Sequence, residues 1–256
     1  MASPYQTQTF SSDGIEIAFI DEGEGDPILL IHGFASNKDM NWVGPGWVEA
    51  LLADGRRVIA LDNRGHGESG KPHDSAAYPA DVMAEDAFRL LQHLDIPRAD
   101  VMGYSMGARI SAFLSLAHPD RVRSVVFGGL GIGMVRGIGG QEEIATALEA
   151  PSLADVQTDV GRRFRKFADQ TRSDRAALAA CIRASSNKIE PEVAATIEPP
   201  VLIAVGTTDD IAGSAEELAE IIPGSKVLPI PGRDHMLAVG DKAYREGVLA
   251  FLRERP

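Results

Sequence analysis

The chain has 256 residues, of which 44% are hydrophobic and 24% charged, and carries a formal net charge of −12. That length can bury one large core, and the acidic balance argues against nucleic acid or an anionic membrane surface as a partner. The lone Cys181 permits no internal disulfide and no Cys/His cluster has zinc spacing, so neither a stapled module nor a zinc domain is expected, and no metal or other cofactor.

In chain order, Met1-Ala2-Ser3-Pro4-Tyr5-Gln6-Thr7-Gln8 lacks the positive region and apolar core of a signal peptide. No apolar run is long enough to span a bilayer, and a cytoplasmic location is the expectation. Residues 7–10 and 15–20 predict an antiparallel pair joined by Ser12-Asp13-Gly14. Residues 27–31 read as a buried strand leading into His32-Gly33-Phe34. A helix is predicted over 42–53, a strand over 57–61 ending in Asp62-Asn63-Arg64-Gly65-His66-Gly67-Glu68-Ser69, and a helix over 79–94.

Residues 99–102 form a short apolar strand pattern that gives way, through Gly103-Tyr104-Ser105-Met106-Gly107, to a helical pattern over 106–117. In a G-x-S-x-G elbow the serine occupies a sharp strand-to-helix turn, and the glycines avoid clashes with neighbouring elements. The turn raises the hydroxyl at the positive end of the following helix. The strand 122–127 is followed by Gly128-Gly129-Leu130-Gly131, with no carboxylate at hand.

The strand-then-helix alternation implies a mostly parallel sheet covered on both faces. It breaks between 128 and 198, read as a short, mostly helical lid inserted into a core of 1–127 and 199–256. The lid opens on a glycine-dense stretch, 128–140, with no G-x-x-x-x-G-K-[ST] phosphate loop. Within it Arg162-Arg163-Phe164-Arg165-Lys166-Phe167 predicts a charged outer helix face with two aromatics packed inward; the sharper alternative sends one arginine to a substrate carboxylate.

Beyond the lid, the β-branched run 200–206 ends in Thr207-Thr208-Asp209-Asp210, which delivers a carboxylate to a strand's C-terminal edge. A helix is predicted over 215–222, with Ser214 and Glu217 as a capping box. The strand 227–230 leads into Gly232-Arg233-Asp234-His235, which makes His235 the candidate base, and a helix over 242–253 closes the chain. His66, His73, His93 and His118 fall in loops or helices where a structural or solvated role is expected. The glycine after His32 lets the backbone turn, so the Phe34 N–H is assigned as one oxyanion donor and the Met106 N–H as the second, each worth roughly 3 kcal/mol in an acyl-transfer transition state. His32 is read as a brace for this loop, and Gly33, Tyr104, Met134 and Trp42 as an apolar substrate pocket.

These pieces together resemble the α/β-hydrolase superfamily, in particular its serine esterase, lipase and lactonase branch, over almost the whole chain. The resemblance includes residues 62–69, similar to the family's D-x-R-G-x-G-x-S segment. It implies an eight-stranded, mostly parallel sheet and a Ser105, Asp209, His235 triad, with Asp209 at the G-x-x-D position counted from Gly206 and Asp210 as its rival by adjacency. The expected activity is hydrolysis of small to medium carboxylic esters by a monomer or homodimer. Lactonase, carbon–carbon bond hydrolase and cofactor-free perhydrolase activities use the same triad. The second of these is disfavoured, because His32-Gly33-Phe34-Ala35-Ser36-Asn37 lacks Gly-Pro-Gly after the His-Gly pair. A serine at 105 argues against haloalkane dehalogenases and epoxide hydrolases, which need a carboxylate there. A non-catalytic small-molecule receptor on this fold is the competing class, distinguished by ligand-dependent stabilisation without product release.

Overall fold

A computed structural model describes residues 3–255; Met1, Ala2 and Pro256, which belong to the expected core and to the N-terminal stretch discussed above, lie outside the described residues. The strands are β1 (Gln8–Ser12), β2 (Ile15–Glu22), β3 (Asp26–Ile31), β4 (Arg56–Leu61), β5 (Ala99–Tyr104), β6 (Val122–Gly128), β7 (Val201–Gly206) and β8 (Lys226–Ile230). They form one sheet in the order β1-β2-β4-β3-β5-β6-β7-β8. β1 and β2 pair antiparallel, as do β2 and β4, and every other neighbouring pair is parallel. The β1–β2 turn places Asp13 at φ 50 and Gly14 at φ 78, the two positive values that a tight hairpin of this twist needs.

Side-chain alternation along each parallel strand sorts residues to the two faces. Leu29, Ile31, Ile59, Leu61, Val125 and Phe127 enter one apolar core, together with α2 (Ala80–His93), α3 (Met106–Ala117) and α9 (Ala215–Ile221). Ile28, Leu30, Val58, Ala60 and Val126 enter the other, under α1 (Trp47–Ala53) and α10 (Lys242–Glu254). Near-continuous apolar strands are what burial on both faces requires.

The single helix predicted over 42–53 is two pieces. A π-helical turn, Asp39–Val43, is separated from α1 by Gly44-Pro45-Gly46, where Gly46 has φ 79. Proline and a left-handed glycine side by side end the first turn. The capping box at α9 is half-made: Ser214 accepts the Glu217 N–H at 3.1 Å, but the Glu217 carboxylate pairs with Arg136.

Between β6 and β7 run α4 (Gly133–Arg136), α5 (Gln141–Glu149), α6 (Asp159–Thr171), α7 (Arg175–Ala184) and α8 (Pro191–Ala194). Thr158 caps α6 through the Gly161 N–H and Asp174 caps α7 through the Ala177 N–H. Phe164 and Phe167 pack inward on a third apolar cluster, as the pattern 162–167 predicts. Arg165, on the same stretch, is buried rather than outward: its guanidinium donates to Ala147 O and Ala150 O at the end of α5. Those carbonyls are orphaned by the helix terminus, and a cation is a favourable partner for them. Arg162 likewise donates to Val156 O. Among the described residues no helix is long and apolar enough to cross a membrane.

Candidate active site

Parallel pairing brings the carboxyl ends of β3, β5, β7 and β8 to one edge of the sheet, the edge where open α/β sheets bind ligands. Ser105 stands there at φ 54 and ψ −111, a backbone conformation costly for a non-glycine residue. The elbow closes only because its neighbours lack side chains. A Cβ on Gly103 would run into the Gly107 carbonyl, and one on Gly107 into the Ile31 carbonyl, both main chain that cannot yield. The Ser105 N–H donates to Gly128 O at 2.7 Å, which fixes the turn against β6.

The loops after β7 and β8 are tied together by Thr207 N–H to Ile230 O and Thr208 N–H to Arg233 O. That pairing places Asp209 beside His235. His235 Nδ1 lies 2.8 Å from Asp209 Oδ2, and His235 Nε2 lies 3.0 Å from Ser105 Oγ. The other Asp209 oxygen accepts the Ile211 and Ala212 N–H groups, each at 2.9 Å. Burial pushes the Asp209 carboxyl up, but the His235 hydrogen bond and charge, with the two amides, outweigh it and hold the group below the ordinary carboxylate value. Asp210, the rival by sequence, is exposed and makes no contact with His235. Serine, imidazole and carboxylate thus stand in one hydrogen-bonded line, an arrangement able to deliver a nucleophilic hydroxyl.

The loop after β3 is braced from beneath. The Asn63 N–H donates to His32 Nε2 at 2.9 Å, so His32 Nδ1 carries the proton and donates to Gly33 O at 2.8 Å. Burial keeps the His32 imidazole neutral, its pKa lowered to about 4 despite that bond. His66, expected in a structural or solvated role, is fully buried with its ring against His32 and Phe34, and burial lowers its pKa to about 3. Asn41 Oδ1 accepts the Gly33 N–H at 3.1 Å. No acceptor among the described residues takes the Phe34 or Met106 N–H; Phe34 lies in the loop after β3 and Met106 opens α3 after the adjacent strand β5.

Of the pocket residues, Gly33 is at the serine: a Cβ there would stand 3.5 Å from Ser105 Cβ. Trp42 and Tyr104 are corrected. Trp42 is fully buried on the α1 and α10 side of the sheet, edge-on to Trp47 at 6.2 Å, because the π-helical turn directs it into that core. Tyr104 precedes the serine on a strand and therefore faces the opposite side; its hydroxyl donates to His235 O at 2.6 Å and positions the histidine loop. Met134 is buried in the larger core, its carbonyl taking Arg109 at 2.8 Å.

Three residues at or near the site escape the sequence reading. Lys38 is fully buried and pairs with Asp62, Asp39 and Glu68. Burial pulls its ammonium down, but the three carboxylates prevail and raise its pKa. Asn41 and Arg109 likewise act through partners distant in sequence; a buried-face position for a charged residue on an apolar helix is the only signal Arg109 leaves.

The chain belongs to the α/β-hydrolase fold family, whose model matches residues 26–176. Fold and site together therefore define a hydrolase-family protein with a small-molecule site. Among its relatives, 2-hydroxymuconate semialdehyde hydrolase of Pseudomonas sp. strain CF600 is 38% identical over 127 residues, half of this chain and 44% of that protein. The chain thus covers less than half the length of that relative. Two solved structures superpose over nearly the whole chain: a bromoperoxidase from Bacillus anthracis (27% identity, TM-score 0.81, 97% of this chain and 100% of that one) and a hydrolase from Pseudomonas aeruginosa (25%, 0.81, 96% and 98%).

Proposed function

We propose that the protein hydrolyses carboxylic esters of small to medium size through an acyl-enzyme on Ser105. The observation that carries this reading is the unbroken line from Ser105 Oγ through the His235 imidazole to the Asp209 carboxylate, at 3.0 and 2.8 Å. His235 Nε2 takes the Ser105 proton as Oγ attacks the ester carbonyl, and then returns it to the departing alkoxide. Water, deprotonated by the same nitrogen, attacks the acyl-enzyme and releases the acid, restoring the serine. Asp209 keeps the imidazole in the tautomer that leaves Nε2 free and stabilises its cationic form. The Phe34 and Met106 amides receive the oxyanion. Helices α4–α8, residues 128–198, form the lid over this edge and set which acyl group fits.

A second reading has a specific support. The relative from Pseudomonas is named as a semialdehyde hydrolase, and the same nucleophile and base could serve carbon–carbon cleavage of such a substrate. A p-nitrophenyl ester series from acetate to octanoate, with a serine-directed phosphonate as titrant, separates the cases. Turnover that vanishes in Ser105→Ala, with one-to-one labelling of Ser105, is expected. Labelling without ester turnover would shift the assignment to the carbon–carbon reading, and neither would sink the hydrolase mechanism.

A further inference from the structure

The two amides assigned to the oxyanion belong to residues whose side chains are both held by the lid. The Phe34 ring packs against Phe164 of α6, centroids 5.7 Å apart. Met106 Sδ lies 3.7 Å from Cys181 Sγ on α7. Ala35, next to Phe34, has no exposed surface, and every other fully buried member of its cluster lies between Ile144 and Ala179, on the three lid helices α5, α6 and α7. The loop is thus shared: its Gly33 end is tied to the core by Asn41 and His32, Ala35 sits among lid helices, and the Phe34 ring between them meets both His66 of the core and Phe164 of the lid.

Ala35 also carries strain. It has φ 59 and is the third residue of a turn in which the Ser36 N–H donates to Gly33 O at 3.3 Å. A side chain in that left-handed conformation is strained where glycine would not be. Strained conformations persist when the surroundings over-determine them. Here the surroundings of the Ala35 methyl are lid helices, which gain apolar contact only while the turn is held.

We propose that Ala35, Phe164 and Cys181 are positioning residues: by gripping the lid, they set the Phe34 and Met106 amides, so the oxyanion hole is complete only when α5–α7 are docked. This rests on the reading of Ser105 as nucleophile. Displacing those helices to admit an ester frees the turn and slackens the hole, and docking re-forms it around the bound carbonyl. Specificity and rate are then coupled, because an acyl group that props the lid open leaves its own oxyanion poorly held.

The test compares wild type, Phe164→Ala and Ala35→Gly. The last accommodates φ 59 without strain and removes only a methyl, so it does not depend on tolerance of a large cavity. Hydrogen exchange at the Ser36 amide reports the turn without turnover, and kcat, KM and inhibition by a trifluoromethyl ketone report the hole. In Phe164→Ala, Ser36 exchange should quicken about tenfold and kcat should fall by up to about 10²-fold. KM should stay within about twofold, and the ketone should lose affinity in step with kcat. Ala35→Gly removes the methyl that docks on the lid, and the backbone freedom it adds outweighs the strain it relieves, so it should shift in the same direction with smaller amplitude. Ser36 exchange at the wild-type rate in both variants would overturn the proposal, as would faster exchange with kcat and ketone affinity unmoved. An esterase-inactive wild type would count against the ester reading, and Ser36 exchange would still judge the grip of the lid.

Discussion

At Asp209 two demands meet, since the carboxylate must stay ionised while buried beside the His235 imidazole. The two backbone amides on one oxygen and His235 on the other meet both. Asp209→Asn keeps the shape but offers the imidazole a donor or a neutral acceptor, which removes the preference for the productive tautomer. Its kcat should fall about 10³- to 10⁴-fold with the denaturation midpoint little changed; a loss below tenfold would argue against the triad. His32 and His66 give a pH prediction of the opposite kind. Both are buried neutral, with pKa values near 4 and near 3 against an ordinary 6.5, so the unfolded chain binds more protons than the folded one below 6.5. Their contribution to stability is whole above pH 6.5 and is lost as pH falls toward 4 and then 3, by several kcal/mol in total on the order of what two such shifts imply. Urea midpoints at pH 7.5, 5.5 and 4.5 should fall in sequence. A level series would mean that these imidazoles charge without cost.

Helix α3 ties Ser105, the proposed nucleophile, to the segment between β6 and β7. Arg109, one turn beyond Ser105, has no carboxylate partner among the described residues; its guanidinium donates to Gly133 O, Met134 O and Asn187 O, carbonyls near the two ends of the segment between β6 and β7. Burial alone pulls its pKa down to about 10, which still leaves it charged at neutral pH. Arg109→Leu would leave Asn187 O without its donor and strip Gly133 O and Met134 O of their second one, each keeping a backbone N–H; it should cost about 2 kcal/mol, read as a lower urea midpoint. Arg109→Lys should recover little of it, since one ammonium cannot span the three acceptors of a planar fork. An unchanged midpoint in the leucine variant would remove the pin. Such a role explains where the sequence was legible and where it was not. Ser105 directly follows β5, and Asp209 and His235 stand on the short loops after β7 and β8, so local pattern and motif spacing locate them. The alternation of strand and helix likewise foretells the sheet. Asn187 is 78 residues from Arg109, Gly33 is 8 from Asn41 and Asp62 is 24 from Lys38, and no local pattern encodes such pairings. Trp42 and Tyr104 were misplaced because a motif says which segment nears the pocket but not which way each side chain faces.

Across the whole molecule, charge is used differently at the two edges of the sheet. The C-terminal edge carries the candidate site. Near the opposite edge, Asp100 is fully buried at the start of β5 and receives Arg255 at 2.6 Å, Arg56 at 3.2 Å and the Ser124 hydroxyl at 2.8 Å. Arg123 stands 3.8 Å away and also reaches Asp26, which Arg255 holds at 2.9 Å. One carboxylate thus joins β4, β5, β6 and the residue just past α10, so the last turn of the chain is fastened to the centre of the sheet. Asp100→Asn preserves the volume but leaves three guanidinium groups close together with their shared counter-charge gone. Breaking a buried pair from one side costs about 3 to 5 kcal/mol, which for a chain of this size lowers Tm by roughly 10 °C. The control is Arg183→Met. Arg183 makes two ion pairs of similar length, with Glu142 and Glu149, but those carboxylates are largely exposed. Solvent screening makes such pairs nearly worthless to stability, so that variant should melt with the wild type, and added salt should not separate the two. If Asp100→Asn also melts with the wild type, the cluster is no fastening, and the C-terminal helix is held by its apolar face alone.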